Sequence, residues 1–286
     1  TGSPGGEASY QVAFVEFDQV LHSELPPTTV WGFNDGSTGN RYPGPTFEAA
    51  VGQQVTVDWL NDLRDENGAY LSQHHLPVDA CPHGASDNQA FAVMHLHGAH
   101  VQAAFDGHPE LRMVPGESAV YEYPNEQNAA TLWYHDHSLG MTRLGVEMGL
   151  AGAYIVRDPA EAALGLPAGQ YEIPMIIQDR SFNPDGSFKY PADFTEHVVG
   201  NTILVNGRVW PYLNVDRGKY RFRWVNGSGS RAYRLQLSDG ATFQQIGTDG
   251  GLLTAPLPMT ELLIMPGERA DVVIAFGAYA PGTVVD

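Results

Sequence analysis

Stretches in which apolar and polar residues alternate, or branched apolar residues cluster, recur along the chain between turn-forming residues: VTVDWL at 55–60, KYRFRWVN at 219–226, AYRLQL at 232–237 and ADVVIAF at 270–276. A period of two puts successive side chains on opposite faces, so these stretches predict β-strands with one face turned to a core. The 32 glycines and 20 prolines supply turns between them. Helical pattern is scarce. EAALGLPAG (161–169) has room for about one turn, and SLGMTRLGVEMG (138–149) is the other candidate. The chain is expected to be all-β, with the strand spacing of β-sandwiches.

An internal echo bears on the number of sandwiches. Pro45, Phe47, Gly52 and the strand residues Val55, Val57 and Trp59 are matched by Pro211, Leu213, Gly218 and Tyr220, Phe222 and Trp224. Proline and glycine are seven residues apart in both copies, and the strand phase slips by one residue between them. With 286 residues there is enough chain for two cores. The stretch RDPAEAALGLPAGQ (157–170) is rich in Pro, Gly and Ala and lies between two strand-like runs, which places the expected boundary there. Two domains, 1–165 and 166–286, are therefore anticipated.

Charge narrows the partners. Lys plus Arg number 15 against 33 Asp plus Glu, a net charge of −18, which disfavours nucleic acid and anionic membrane surfaces. No apolar run has the length of a bilayer span, and the opening TGSPGGEASY lacks the basic and apolar regions of a signal peptide. The compartment is left open, with an extracellular or cell-surface location preferred. The single cysteine, Cys81, excludes an internal disulfide framework and any CxxC metal site.

Candidate chemistry concentrates in two histidine pairs, His95 and His97 in MHLHGAH and His135 and His137 in LWYHDHSLG. On a strand, positions i and i+2 face the same way, two rises of roughly 3.3 Å apart, so each HxH presents two imidazoles side by side. Neutral imidazole suits copper, zinc, iron and nickel. A glycine directly after the first pair permits close backbone approach. All four paired histidines fall in the first half, and the second half holds only His197.

At HLHG (95–98) and WYHDH (133–137) the chain resembles the multicopper oxidases, in particular the branch of bacterial spore-coat laccases, bilirubin oxidases and phenoxazinone synthases. DGHPE (106–110), the run 123–158, NTILVNGRVWPYL (201–213), KYRFRWVN (219–226) and QQIGTDGGLL (244–253) extend the likeness in the same order over nearly the whole chain. The resemblance implies tandem cupredoxin-like Greek-key sandwiches. It also implies that His95 binds a type 2 copper and that His97, His135 and His137 bind the type 3 pair. The implied reaction is one-electron oxidation of phenolic or aminophenolic donors, with four electrons passed to dioxygen to give water. Asp106 matches a carboxylate of that branch near the type 2 copper. Dioxygen reduction consumes protons, so Asp106 is expected to serve as a proton relay; a turn-forming Asp-Gly is the alternative.

The same resemblance shows what is missing. The family completes its cluster with an HPxHxH segment and an HCH segment whose cysteine binds a blue copper, and neither occurs in this sequence. The chain is accordingly expected to be the amino-terminal part of a laccase-like enzyme, inactive alone and short of a last strand in its second sandwich. A companion polypeptide would carry the third cupredoxin domain, the blue copper and the remaining ligands. A non-catalytic, copper-binding cupredoxin tandem is the alternative. A zinc hydrolase built on His95, His97 and His135 would have only Asp106 or Asp136 as general base, and Asp136 is expected to face away from its neighbours.

The remaining candidates read as structural. Cys81, near His74, His75, His83 and Met94, sits in the loop-like LPVDACPHGASDNQ and is expected to be a free or intermolecularly paired thiol. His100 and His108 are expected to be ordinary polar or channel-lining residues, and His22 and His197 surface residues. Met141 and Met148 are expected in the core, and Trp133 and Tyr134 packed around the site. Arg221, Arg223, Arg231 and Arg234 alternate with apolar residues and are expected to form a solvated or salt-bridged sheet face.

Overall fold

A computed structural model describes residues 7–37, 39–85, 89–193 and 195–286. The first six residues of the TGSPGGEASY opening, and 86–88 of the Cys81 loop, lie outside them.

The first eight strands are β1 (Ala8–Gln19), β2 (Thr28–Asn34), β3 (Phe47–Ala50), β4 (Val55–Asn61), β5 (Met94–His97), β6 (Ser118–Tyr123), β7 (Ala130–Asp136) and β8 (Ala151–Arg157). They form two four-stranded sheets, in the orders β2-β1-β4-β6 and β3-β8-β7-β5. Alternation drives the packing: along β4, Val55, Val57, Trp59 and Asn61 are buried and the residues between them only partly so. Trp59 stacks on Phe14 and meets Phe33, Phe47 and Tyr134, so one indole ties the two sheets together.

After a 3-10 turn at Pro159–Leu164, the second half supplies β9 (Glu172–Arg180), β10 (Thr202–Val205), β11 (Arg208–Val209), β12 (Lys219–Asn226), β13 (Tyr233–Gln236), β14 (Phe243–Thr248), β15 (Gly251–Met259), β16 (Glu261–Ile264) and β17 (Arg269–Ala275). Seven of these make one sheet, β11-β10-β9-β12-β17-β14-β15, faced by the pair β13-β16. The turn at 159–164 begins at Asp158, whose carboxylate accepts from Ala160 N–H, and stops at Gly165, whose φ of 63° is left-handed. The other helical candidate forms α1 (Thr142–Met148), closed by Gly149 at φ 125°.

The echo in the sequence has a counterpart in the topology. β4 runs parallel to β1, the first strand of its half, and antiparallel to β6; β12 runs parallel to β9 and antiparallel to β17. The local orders β2-β1-β4-β6 and β10-β9-β12-β17 correspond.

β12 differs from β4 on its second face. Tyr220, Phe222 and Trp224 fill the second core, while Arg221 and Arg223 are also buried, pointing back toward the first half. Arg221 grips Asp271 and Glu161, and Arg223 grips Glu172 and reaches the Thr131 hydroxyl of β7 at 2.8 Å. Of the two expectations for these arginines, salt bridging holds, and for Arg221 and Arg223 the face is buried. Arg231 pairs with Asp179, and Arg234 alone is largely exposed. A small apolar cluster of Trp133, Ala151, Ala153, Ile176 and Val225 continues this contact between the halves beneath the histidine strands.

Candidate metal centre

β5 and β7 lie side by side and antiparallel, in the register His95 opposite His135 and His97 opposite Trp133. Directly opposed residues of an antiparallel pair share a face, so the two histidine strands bring their imidazoles onto one surface. The ring centroids of His95 are 5.7 Å from His97, 5.5 Å from His135 and 4.6 Å from His137. One ligand nitrogen from each of His95, His97 and His135 falls within 4.8 Å of the others. His137 lies just beyond the end of β7, against His95 and 5.9 Å from His135.

Hydrogen bonds set the tautomers. A carbonyl oxygen can only accept, so His95 donates from Nδ1 to the Asp106 carbonyl at 2.6 Å, and His135 donates from Nδ1 to the Asp136 carbonyl at 2.7 Å. Each keeps an Nε2 lone pair. His97 is turned the other way, with Nδ1 3.2 Å from His135 Nε2. Among the described residues the buried His137 Nδ1 makes no hydrogen bond of good geometry, and the Gly107 backbone lies beside the ring. A metal ion needs a donor set of this kind, with lone pairs converging from rings fixed by second hydrogen bonds.

Protonation is arranged the same way. Burial, followed by the charge of Arg269, pushes His97 down to about 4. Burial holds His135 well below the usual histidine range and lowers His137, which also feels His95. These three rings are therefore neutral at neutral pH, the form that ligates. Soft sulfur is absent from the set and four imidazoles dominate it, which suits copper or another first-row ion of intermediate softness.

Several residues frame the rings. Trp133 packs at a tilt against His135 at 4.2 Å and against His97 at 5.5 Å, whereas Tyr134 points the opposite way into the first core, where its hydroxyl donates to Pro45 O. The expectation that both aromatics pack around the site holds for Trp133 only, because neighbouring residues on a strand face opposite sides. Asp136 does turn away: its buried Oδ1 accepts from Val93 N–H, Ser138 N–H and Ser138 Oγ. Burial raises its carboxyl to about 6. Asp106 approaches the site with both its backbone and its side chain, Oδ1 lying 3.3 Å from His95 Nδ1 and the carboxylate about half exposed.

The other candidates lie elsewhere. His100 and His108 are exposed, as is His197. His22 is half-buried with its ring 6.1 Å from Phe182. Met141 and Met148 are buried in the first core. His74 is buried against Trp31 at 4.4 Å and pushed down to about 3 by burial, and His75 pairs with Glu16. Cys81 is exposed and unbonded to another cysteine, and its hydrogen bond to Asp79 raises the thiol.

Sequence reasoning missed the second half's contribution to the site. Arg269, 3% exposed at its side chain, donates to Thr131 O at 3.0 Å, and a Cβ on Gly267 would lie 3.1 Å from the His97 ring. Neither residue belongs to a histidine motif, and their distance along the chain hides the contact.

Comparison with known proteins gives a consistent picture. A family model described as multicopper oxidase matches residues 86–161. A laccase from Bacillus subtilis is 40% identical over 96% of this chain and 56% of the relative, and one from Haloferax volcanii is 40% identical over 99% and 52%. The crystal structure of a laccase from Pediococcus acidilactici superposes with a TM-score of 0.82 at 29% identity, covering 99% of this chain and 57% of that one. The chain thus spans about half the length of the curated relatives it matches.

Proposed function

From a chain that is related to the multicopper oxidases along almost its whole length, with cupredoxin-like β-sandwiches, we propose the amino-terminal part of a laccase-like oxidase that takes electrons from phenolic or aminophenolic donors. In this reading His95 holds the type 2 copper, and His97, His135 and His137 hold the type 3 pair. Domains 1–165 and 166–286 are two cupredoxin units, and a companion polypeptide brings the third with the blue copper and the missing imidazoles. The observation that carries the reading is the convergence of the four rings, with His95 and His135 fixed through Nδ1 so that each Nε2 carries the lone pair.

Copper at this position would supply the reduction of dioxygen to water by electrons delivered from the blue site. The chain's own residues orient and protect. The carbonyls of Asp106 and Asp136 lock two rings, and Trp133 covers the faces of His97 and His135 against water. The Asp106 carboxylate, beside His95 and open to solvent, can carry protons inward. Because His95 is held by the Asp106 backbone carbonyl, Asp106→Asn should leave copper content intact while slowing oxidation of the reduced enzyme by dioxygen. An unchanged rate removes Asp106 from the mechanism.

The reading is tested by copper analysis and electron paramagnetic resonance of the purified chain beside His95→Ala and His135→Ala. The wild-type chain should bind copper through nitrogen ligands, and both variants should lose it. Undiminished, nitrogen-ligated copper in both variants would refute the assignment. The non-catalytic copper-binding tandem predicts the same binding but no gain of oxidase activity when a third domain is supplied.

A further inference from the structure

The β5–β7 ladder stops at the pair His97–Trp133, although β7 continues to Ala130. Gly98 turns the chain away at φ +87°, so no β5 residue reaches Thr131. The guanidinium of Arg269, from β17, takes that place. Its Nε donates to Thr131 O at 3.0 Å, its Nη1 to Gly267 O at 2.9 Å, and Asp249 braces it from outside at 3.4 Å.

Two glycines make room for it. A Cβ on Gly98 would lie 2.5 Å from the Arg269 Nη2, and one on Gly267 would lie 3.1 Å from His97 Cε1, 3.6 Å from Nε2 and 4.0 Å from Nδ1. His97 is thereby held between Trp133 on one side and the 265–268 turn at its Cε1 edge. In this orientation Nδ1 is the nitrogen facing His135.

We propose that Arg269 is a positioning residue of the metal centre: by continuing the histidine ladder from the second sandwich and holding the 265–268 turn through Gly267 O, it fixes the direction of His97, with Nδ1 facing His135. The glycine of HLHG is small because this arginine occupies the space beside it. Arg223 holds the same Thr131 through its hydroxyl, so the second half grips the ligand-bearing strand at two atoms. The proposal rests on the four-histidine copper assignment.

The test titrates copper(II) into the chain and into Arg269→Lys, Asp249→Ala and Arg221→Lys, following nitrogen superhyperfine structure and thermal unfolding. Arg269→Lys keeps the charge and loses the planar fork. It should weaken copper binding by about 10-fold, the lower end for groups that orient a ligand, and change the superhyperfine pattern. Asp249→Ala, which removes the half-exposed brace and the acceptor of the Arg269 backbone N–H while keeping the guanidinium, should shift both readouts the same way by less, and it keeps the test decisive if Arg269→Lys fails to fold. Arg221→Lys perturbs the same interface without touching the histidine strands, and should lower the unfolding temperature while leaving the spectrum unchanged. Wild-type affinity and spectrum in both Arg269→Lys and Asp249→Ala would overturn the proposal. So would an equal loss of binding in Arg221→Lys, since the effect would then be general loosening of the interface. If the wild-type chain itself binds no copper, the four-histidine assignment fails first and takes this inference with it.

Discussion

At the scale of single residues, the centre depends on which side each side chain takes. The period-two rule placed His95 with His97 and turned Asp136 away, and the structure has both arrangements. It also separates Trp133 from Tyr134, a distinction contained in the same rule but easily overlooked when an aromatic run is read as a block. What the motif could not reveal is why its fourth residue is glycine. Gly98 combines a left-handed φ of +87° with the Arg269 guanidinium beside it, so Gly98→Ala meets both backbone strain and a collision with a buried cation. Urea unfolding should show a loss of about 1–3 kcal/mol, the usual cost of forcing a side chain into that backbone region. A loss below about 0.5 kcal/mol, within the range of ordinary surface substitutions, would mean that Arg269 yields easily and that the glycine is not required by it.

At the scale of elements, α1 follows directly on the second histidine pair, and Arg180 of β9 anchors it by donating to Val146 O at 2.6 Å. Glu147 of the same helix lies 3.3 Å from that guanidinium, yet burial lifts its carboxyl up to about 7. The folded state thus holds this proton more tightly than the unfolded chain, where a glutamate titrates near its ordinary value of about 4.3. Its contribution to stability is complete below that ordinary value and is lost as pH rises through about 7. Glu147→Gln carries no charge at any pH. Leaving Arg180 without its anion shifts stability by an offset, but the loss of stability between pH 5 and pH 8 should become shallower than in wild type. Denaturant midpoints at the two pH values measure this, and parallel curves would show that Glu147 stays ionised throughout. The helix was visible in the sequence as a weak candidate. Its buried ion pair was not, because the partner lies on a strand of the other half, 33 positions away. The four strands read from alternation, at 55–60, 219–226, 232–237 and 270–276, all occur as β4, β12, β13 and β17. The alternating arginines of β12 showed a polar face without showing that the first half covers it.

At the scale of the whole molecule, the second half supplies no histidine to the cluster, yet it walls His97 and grips β7. Local motifs therefore disclosed the histidine cluster, and only long-range packing disclosed its support. The same scale decides what the chain can do alone. A blue copper site needs a cysteine thiolate with two imidazoles. Here Cys81 is exposed, its thiol is raised by Asp79, and the nearby His74 and His75 are engaged by Trp31 and Glu16. On the proposed reading, the chain loaded with copper should show nitrogen-bound copper without an intense thiolate-to-copper band, and Cys81→Ser should leave its spectrum unchanged. It should consume no dioxygen with a phenolic donor until a polypeptide bearing a third cupredoxin domain is added, when band and oxygen uptake should appear together. Visible spectroscopy and oxygen-electrode measurements on a sample shown by intact mass to hold this polypeptide alone make the comparison. A strong blue band with turnover in that sample would mean that the 286 residues suffice, and would remove the need for a companion.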